Sequence, residues 1–233
     1  MSDESLFREV DEEVRREQLE KLWKRYGNWF VAFSVGLIIA VAAFKGWQYY
    51  QQKQAEAAGQ AYIEALNLYD AGKRDEAALK LADLAAGSHK GVATLARLQQ
   101  AGLAAADGKR DEAIRIYGQV AADETVDTPL RDAARIRQAW LMVETAKPEE
   151  LRSLLGGLDV AGNPWRTSAR EVLALSAWRA GDLKTAQNLL SQIVTDTETP
   201  PGARERARIM LAVIAPELAA SGKGGDKDGK SAK

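Results

Sequence analysis

One histidine, no cysteine and evenly scattered carboxylates leave this 233-residue sequence few parts for covalent or acid–base chemistry. His89 stands between Ser88 and Lys90 in a stretch that reads as a turn between helices. No orienting partner is evident for it, and a general base needs one. The sequence has no His-x-x-x-His pair, no Gly-x-x-x-x-Gly-Lys loop and no Gly-x-Ser-x-Gly elbow. Without cysteine there are no disulfides, thiolate metal ligands, S-acylation sites or cysteine nucleophiles. Lys and Arg (32) nearly cancel Asp and Glu (33), so no basic excess points to nucleic acid. These residues predict a protein that is not an enzyme, holds no metal or cofactor, and has no small-molecule substrate. What remains is recognition by large side chains, six Trp and six Tyr, in a chain whose rare Pro (6) suits helices better than strands.

The most apolar element lies near the N-terminus. From Trp29 to Phe44 the chain reads WFVAFSVGLIIAVAAF, with no charge. At about 1.5 Å per residue this stretch reaches ~24 Å, short of a hydrocarbon core of ~30 Å. Lys45 can snorkel, and Trp47, Tyr49 and Tyr50 at one end with Trp29 and Tyr26 at the other are placed like interfacial belts. A transmembrane helix over 28–50 is expected. A buried core helix and a cleaved signal peptide ending near Ala40-Val41-Ala42 are the alternatives. The first lacks an equally apolar partner, and the second would follow a 28-residue segment rich in Glu and Asp rather than a short basic one. Arg15, Arg16, Lys21, Lys24 and Arg25 precede the span, against Lys45 and Lys53 after it. That bias predicts a cytoplasmic N-terminus and a C-terminal part outside the cytoplasm, in the periplasm of a two-membrane bacterium.

Residues 1–27 form an expected cytoplasmic arm, helical and amphipathic, with Leu19, Leu22, Trp23 and Tyr26 on one stripe. It reads equally as a docking helix for a cytoplasmic partner and as a helix that lies on lipid or merely continues the anchor.

Behind the span a motif recurs. Ala71-Gly72-Lys73-Arg74-Asp75-Glu76-Ala77, Asp107-Gly108-Lys109-Arg110-Asp111-Glu112-Ala113 and Ala180-Gly181-Asp182-Leu183-Lys184-Thr185-Ala186 are similar, and Ala146-Lys147-Pro148-Glu149-Glu150-Leu151 is a degenerate copy between the last two. The four copies are spaced 36, 38 and 35 residues apart, close to the 34-residue helix–turn–helix repeat. Glycine ends one helix, acids favour the next N-terminus, and alanine five residues on permits close packing. Seven residues before the turn stand Ala65, Ala101, Ala139 and Ala174; nine after it stand Leu81, Tyr117, Leu155 and Leu190. Small against large is what stacked hairpins need to interlock. The expected fold is all-α: a transmembrane helix, then a tetratricopeptide-like α-solenoid of about four helical hairpins and a capping helix. Helices are expected over 51–71, 73–86, 90–106, 109–122, 129–145, 148–155, 164–180, 182–195 and 200–218. The repeat domain would cover 51–220, and 221–233 would be a disordered tail.

The Gly72–Ala77, Gly108–Ala113 and Gly181–Ala186 signatures resemble degenerate tetratricopeptide repeats. Together with Leu22-Trp23-Lys24-Arg25-Tyr26-Gly27, the single anchor and Gly46-Trp47-Gln48-Tyr49, they make the chain from about 5 to 215 similar to the ancillary subunit of the SecYEG translocon, the YfgM-like family. That resemblance implies an adaptor or holdase at the inner membrane whose partners are the SecYEG translocon and a periplasmic chaperone or unfolded client proteins. A cell-envelope scaffold for division or wall machinery, and a regulator sequestering a cytoplasmic signalling protein, are the competing readings. In a tetratricopeptide-like superhelix the first helix of each pair lines the concave side. That pattern would display Tyr62, Leu66 and Tyr69, then Leu98 and Gly102, then Ile136 and Trp140, then Leu175 and Trp178 as a protein-binding groove. Apolar residues at helical spacing are also the usual makings of a core, so groove and core both stand for this set.

Overall fold

The computed structural model describes the backbone of residues 3–224 and the side chains of residues 23–220, Gly27 apart. Nine helices and no strand occur among the described residues: α1 (Asp3–Asp70), α2 (Arg74–Ala85), α3 (Lys90–Ala106), α4 (Arg110–Ala122), α5 (Thr128–Met142), α6 (Pro148–Leu154), α7 (Arg166–Arg179), α8 (Leu183–Thr195) and α9 (Pro201–Gly224). The chain divides into two compact units, one up to Ala57 and one from Ala58 onward.

The first unit is helical throughout its described residues, because no proline interrupts α1. The expected arm, anchor and first solenoid helix are therefore one element. Its apolar stretch is exposed around the whole circumference, from Trp29 (78%) to Phe44 (60%). Such a surface is stable in lipid or against a partner, not in water. Asn28–Asp70 is the one helical segment, among the described residues, long and apolar enough to cross a membrane. Its one hydroxyl, Ser34 Oγ, donates to the Phe30 carbonyl at 2.8 Å, which satisfies the group without water. Trp23 and Tyr26 are exposed. The side chains of Leu19 and Leu22 in the arm stripe lie outside the described residues, as do residues 225–233 of the expected disordered tail; its first residues, 221–224, are instead helical and end α9.

The second unit stacks hairpins. Gly72, Gly108 and Gly181 have φ of 80°, 76° and 80°, a conformation that costs other residues about 1–2 kcal/mol. Each closes the same double cap: Gly72 N–H bonds the Tyr69 carbonyl (2.9 Å) and Lys73 N–H the Leu68 carbonyl (2.9 Å), with Gly108 and Gly181 repeating both bonds. The third copy carries Ala146 in place of glycine, and no non-glycine residue adopts positive φ among those described. Its first helix stops at Met142, and α6, opened by Pro148, has only seven residues. Gly157 and Gly162 supply the left-handed turns of the loop that follows (φ 81° and 83°).

The small/large register places the core. Ala65, Ala101, Ala139 and Ala174 are wholly buried, and Leu81, Leu155 and Leu190 meet them with Tyr117 at 4% exposure. Four clusters follow one another along the chain rather than forming one globule, each shared by neighbouring helices. Arginines staple successive hairpins. Arg74 pairs with Asp107 at 2.8 Å and Arg110 with Glu144 at 2.9 Å, from the same register position. Pro148 occupies that position in the third copy, and Arg179 of α7 bonds the Val143 carbonyl there instead. Within hairpins, Arg97 reaches Asp123 (3.4 Å) and Arg170 reaches Asp196 (3.2 Å), both 26 residues on.

The array ends on α9, which buries Ala203, Ala207 and Ile214. Arg206 grips the buried Glu171 of α7 through two bonds of 2.7 and 2.9 Å. In the turn before α9, Arg166 holds Asp196 (2.6 and 2.9 Å) and Glu198, and Arg204 donates to the Asp196 and Thr199 carbonyls. Bonding to Arg166 first, and then to the Glu198 amide, keeps the Asp196 carboxyl far below the usual carboxylate range.

Two predictions follow from this packing. Gly108→Val and Gly181→Val each destabilise the fold by about 1–2 kcal/mol, whereas Gly202→Ala, inside α9 with only Arg206 near its Cβ position, does not; thermal unfolding followed by circular dichroism separates them. A depressed carboxyl stabilises the fold above its unfolded pKa of about 4 and loses that contribution as pH falls toward the folded value. Asp196→Asn is therefore expected to lower Tm at pH 6–7 and to converge with the parent as pH drops below 4, read from melting curves at pH 7, 5, 4 and 3.

Candidate functional site

On the first helix of each hairpin, core residues occupy one side and leave a stripe spaced four, three and four residues. On α1 it runs Gly59, Ile63, Leu66, Asp70; on α3 Leu95, Gln99, Gly102, Ala106; on α5 Ala133, Arg137, Trp140, with Glu144 in the turn that follows. None of these twelve is buried. Its exposed large apolar members are Ile63 (58%), Leu95 (39%) and Trp140 (38%). On α7 the same positions are Ser168, Val172, Leu175 and Arg179, of which Val172 is buried. Burial raises the Tyr62 hydroxyl pKa, and the Arg137 guanidinium opposes that rise.

The predicted groove residues divide. Leu98 (5% exposed) and Ile136 (4%) are core, each inside a buried cluster. They stand ten residues before their turns, one step round the helix from the open stripe, so periodicity alone assigned them to the wrong side. In the first hairpin the same position is Tyr62, half-buried against the Ala65–Leu81 cluster, as is Tyr69. Arg74 lies over the Tyr69 ring at 5.7 Å. Leu66 and Gly102 are half-buried and on the stripe. Leu175 packs on the third-hairpin cluster. Trp178 packs on the last one, its Nε1 donating to Glu217 of α9 at 3.2 Å, so the cap partly covers it. Trp140 is the predicted aromatic with an open face. Sequence reasoning passed over Ile63 and Leu95. The available signal was the register, since the third-copy counterpart of Ile63 is the charged Arg137.

No group of three or more His, Asp or Glu able to hold a metal ion occurs among the described residues. His89 is the N-cap of α3, its carbonyl accepting the Ala93 amide at 2.9 Å. What the second unit offers is surface: apolar patches interspersed with Arg137 and Gln99, suited to a polypeptide.

A family model described as a tetratricopeptide repeat-like domain matches residues 20–162. The match takes in the end of the arm, the apolar segment and the first three hairpins. No curated protein and no solved structure matches the chain. Domains of this kind are protein-interaction modules, typically without catalytic activity. The fourth hairpin, beyond the matched residues, repeats the left-handed glycine, the buried alanine and the buried leucine of the others. From the end of the arm to the third hairpin, then, the chain belongs to the tetratricopeptide repeat-like domain family.

Proposed function

We propose that this protein is a membrane-anchored adaptor or holdase of the Sec translocon, receiving polypeptides or a chaperone as they emerge in the periplasm. Residues 1–27 form the cytoplasmic arm, 28–50 the inner-membrane helix, and 51–220 the domain outside the cytoplasm. The exposed apolar stripe on the first helices, with Ile63, Leu95 and Trp140 at its centre, carries the binding part of this reading. Leu66 and Leu175 lie on it, and Tyr62, Tyr69 and Trp178 flank it, all as half-buried contributors. Unfolded segments expose isolated apolar side chains, and separated apolar patches among polar residues accept them without demanding one sequence. The translocon part rests on the anchor flanked by Leu22–Gly27 and Gly46–Tyr49, and the orientation on five cations before the span against two after it.

Because the chain has no cysteine, a single introduced thiol reports topology directly. Ser88→Cys is expected to react with a membrane-impermeant maleimide added outside the cytoplasmic membrane, and Ser5→Cys only after lysis; the reverse pattern would invert the assignment. For binding, replacing Ile63, Leu95 and Trp140 together by serine is expected to reduce suppression of client aggregation at least several-fold. Each exposed aromatic or aliphatic contact carries about 1–2 kcal/mol when truncated. Tm should be nearly unchanged, because none of the three is core. A photo-crosslinker in place of Trp140 should capture translocon subunits or emerging secretory chains in cells. Capture of wall-synthesis enzymes in their place sinks the translocon reading and favours an envelope scaffold.

A further inference from the structure

The two ends of the apolar span in α1 are finished differently. At its C-terminal end both cations are engaged by the chain itself: Lys45 Nζ donates to Gln48 Oε1 at 3.3 Å, and Lys53 pairs with Glu56 at 3.8 Å. At its N-terminal end Lys24 and Arg25 are exposed, and neither has an ion pair among the described residues. Arg25 lies over the Tyr26 ring, 5.7 Å from its centre, a stacking contact that leaves the guanidinium edge free to donate.

Because α1 runs unbroken through this region, helix geometry places these residues. Lys21, Lys24, Arg25 and Asn28 stand at i, i+3, i+4 and i+7, on one face. Leu19, Leu22, Trp23 and Tyr26 have the same spacing two residues earlier and so occupy the opposite half. A rise of about 1.5 Å per residue puts Arg25 roughly 6 Å and Lys24 roughly 7.5 Å outside Trp29. The headgroup layer on each side of a bilayer is about 5–8 Å thick. Both cations are therefore level with lipid phosphates, and Asn28 with the hydrocarbon boundary beneath them.

Charge is also divided along the arm. Residues 15–28 carry five cations against two acids, Glu17 and Glu20, whereas residues 3–13 carry six acids against Arg8. An anionic surface attracts the first set and repels the second. A helix lying flat would bring both onto the lipid. One that leaves the bilayer end-on separates them: Glu13, the nearest of the six acids, is then about 24 Å along the helix from Trp29. That leaves it more than a Debye length of ~8 Å beyond the headgroups.

We infer that the face formed by Lys21, Lys24, Arg25 and Asn28 holds anionic phospholipid headgroups, with the acidic part of the arm standing off the membrane beyond them. The cations draw the phosphodiester charge, and the Asn28 carboxamide donates to headgroup oxygens at the hydrocarbon boundary. The inference rests on 28–50 spanning the bilayer and is independent of the translocon and of any client.

The test is electron paramagnetic resonance of the full chain in phosphatidylcholine bilayers, with spin-labelled phosphatidylglycerol or spin-labelled phosphatidylcholine as the probe. Lipid held at the protein gives a motionally restricted component, and the ratio of that component between the two probes measures preference. A ratio of about two to five in favour of phosphatidylglycerol is expected, the effect of one cation near an anionic headgroup, and it shrinks at high salt. Lys24→Gln combined with Arg25→Gln brings the ratio to about one, whereas Lys24→Arg preserves it and Lys45→Gln combined with Lys53→Gln leaves most of it. Exchanging chloride for inorganic phosphate at equal ionic strength leaves it unchanged, and circular dichroism verifies that each variant keeps its helix content. Equal restriction of the two probes, indifference to the Lys24 and Arg25 substitutions, or displacement by free phosphate would overturn the inference while leaving the span in place. Absence of a restricted component with either probe would overturn the span itself, and this inference with it.

Discussion

The second unit depends on one constraint: the two helices of a hairpin approach closely only where a side chain is small. Ala65, Ala101, Ala139 and Ala174 sit at that point in the four hairpins, all wholly buried. A large residue from the second helix, Leu81, Tyr117, Leu155 or Leu190, fills the space each leaves. The left-handed glycines set the phase by reversing the chain seven residues after each of these alanines, in all copies but the third. Since each hairpin buries one face against the next, the core is a succession of clusters, and the free faces recur at the same register. The exposed stripe of the first helices is a product of that recurrence.

The ion pairs refine the stacking rather than drive it. Arg74–Asp107 and Arg110–Glu144 are largely exposed, and such pairs contribute little stability. Their value lies in register, tying the turn of one hairpin to the end of the next. The pairs at Asp196 and Glu171 differ, because Arg166 and Glu171 are themselves buried. Losing one partner there strands a charge away from water. Those contacts hold the cap, whose displacement would uncover the last cluster.

Much of this was legible in the sequence. Local chemistry decides where helices stop, so glycine spacing, acidic first turns and Pro148 placed most helix ends within one to three residues. Continuity of α1 was harder to see, because a change from apolar to polar composition marks a change of surroundings and not of backbone; Gly36, Gly46 and Gly59 do not break it. The binding side was read less well. Leu98 and Ile136 are one position away from the open stripe, and which side of a helix is covered depends on the neighbouring hairpin. Counting outward from the buried alanine would have found Ile63 and Leu95. The arginine clamps were present as a 26-residue separation in two copies, yet only the fold shows that the first half of α3 lies beside Asp123 at the end of α4, and the first half of α7 beside Asp196 at the end of α8.

The seven-residue α6 has a dynamic consequence. In a linear array each unit is held by its neighbours, so cooperativity passes along the chain only as strongly as its thinnest interface transmits it. Fewer than two helical turns, followed by the glycine-bearing loop 155–165, make that interface the joint at α6. Unfolding is then not one all-or-none event. Two cooperative blocks, α1–α5 and α7–α9, can open in turn, and amides of α6 exchange with solvent faster than those of α4 or α8. The cluster shared by α5, α6 and α7 spans that joint, so a change of angle between the halves would open it first and leave the other clusters intact.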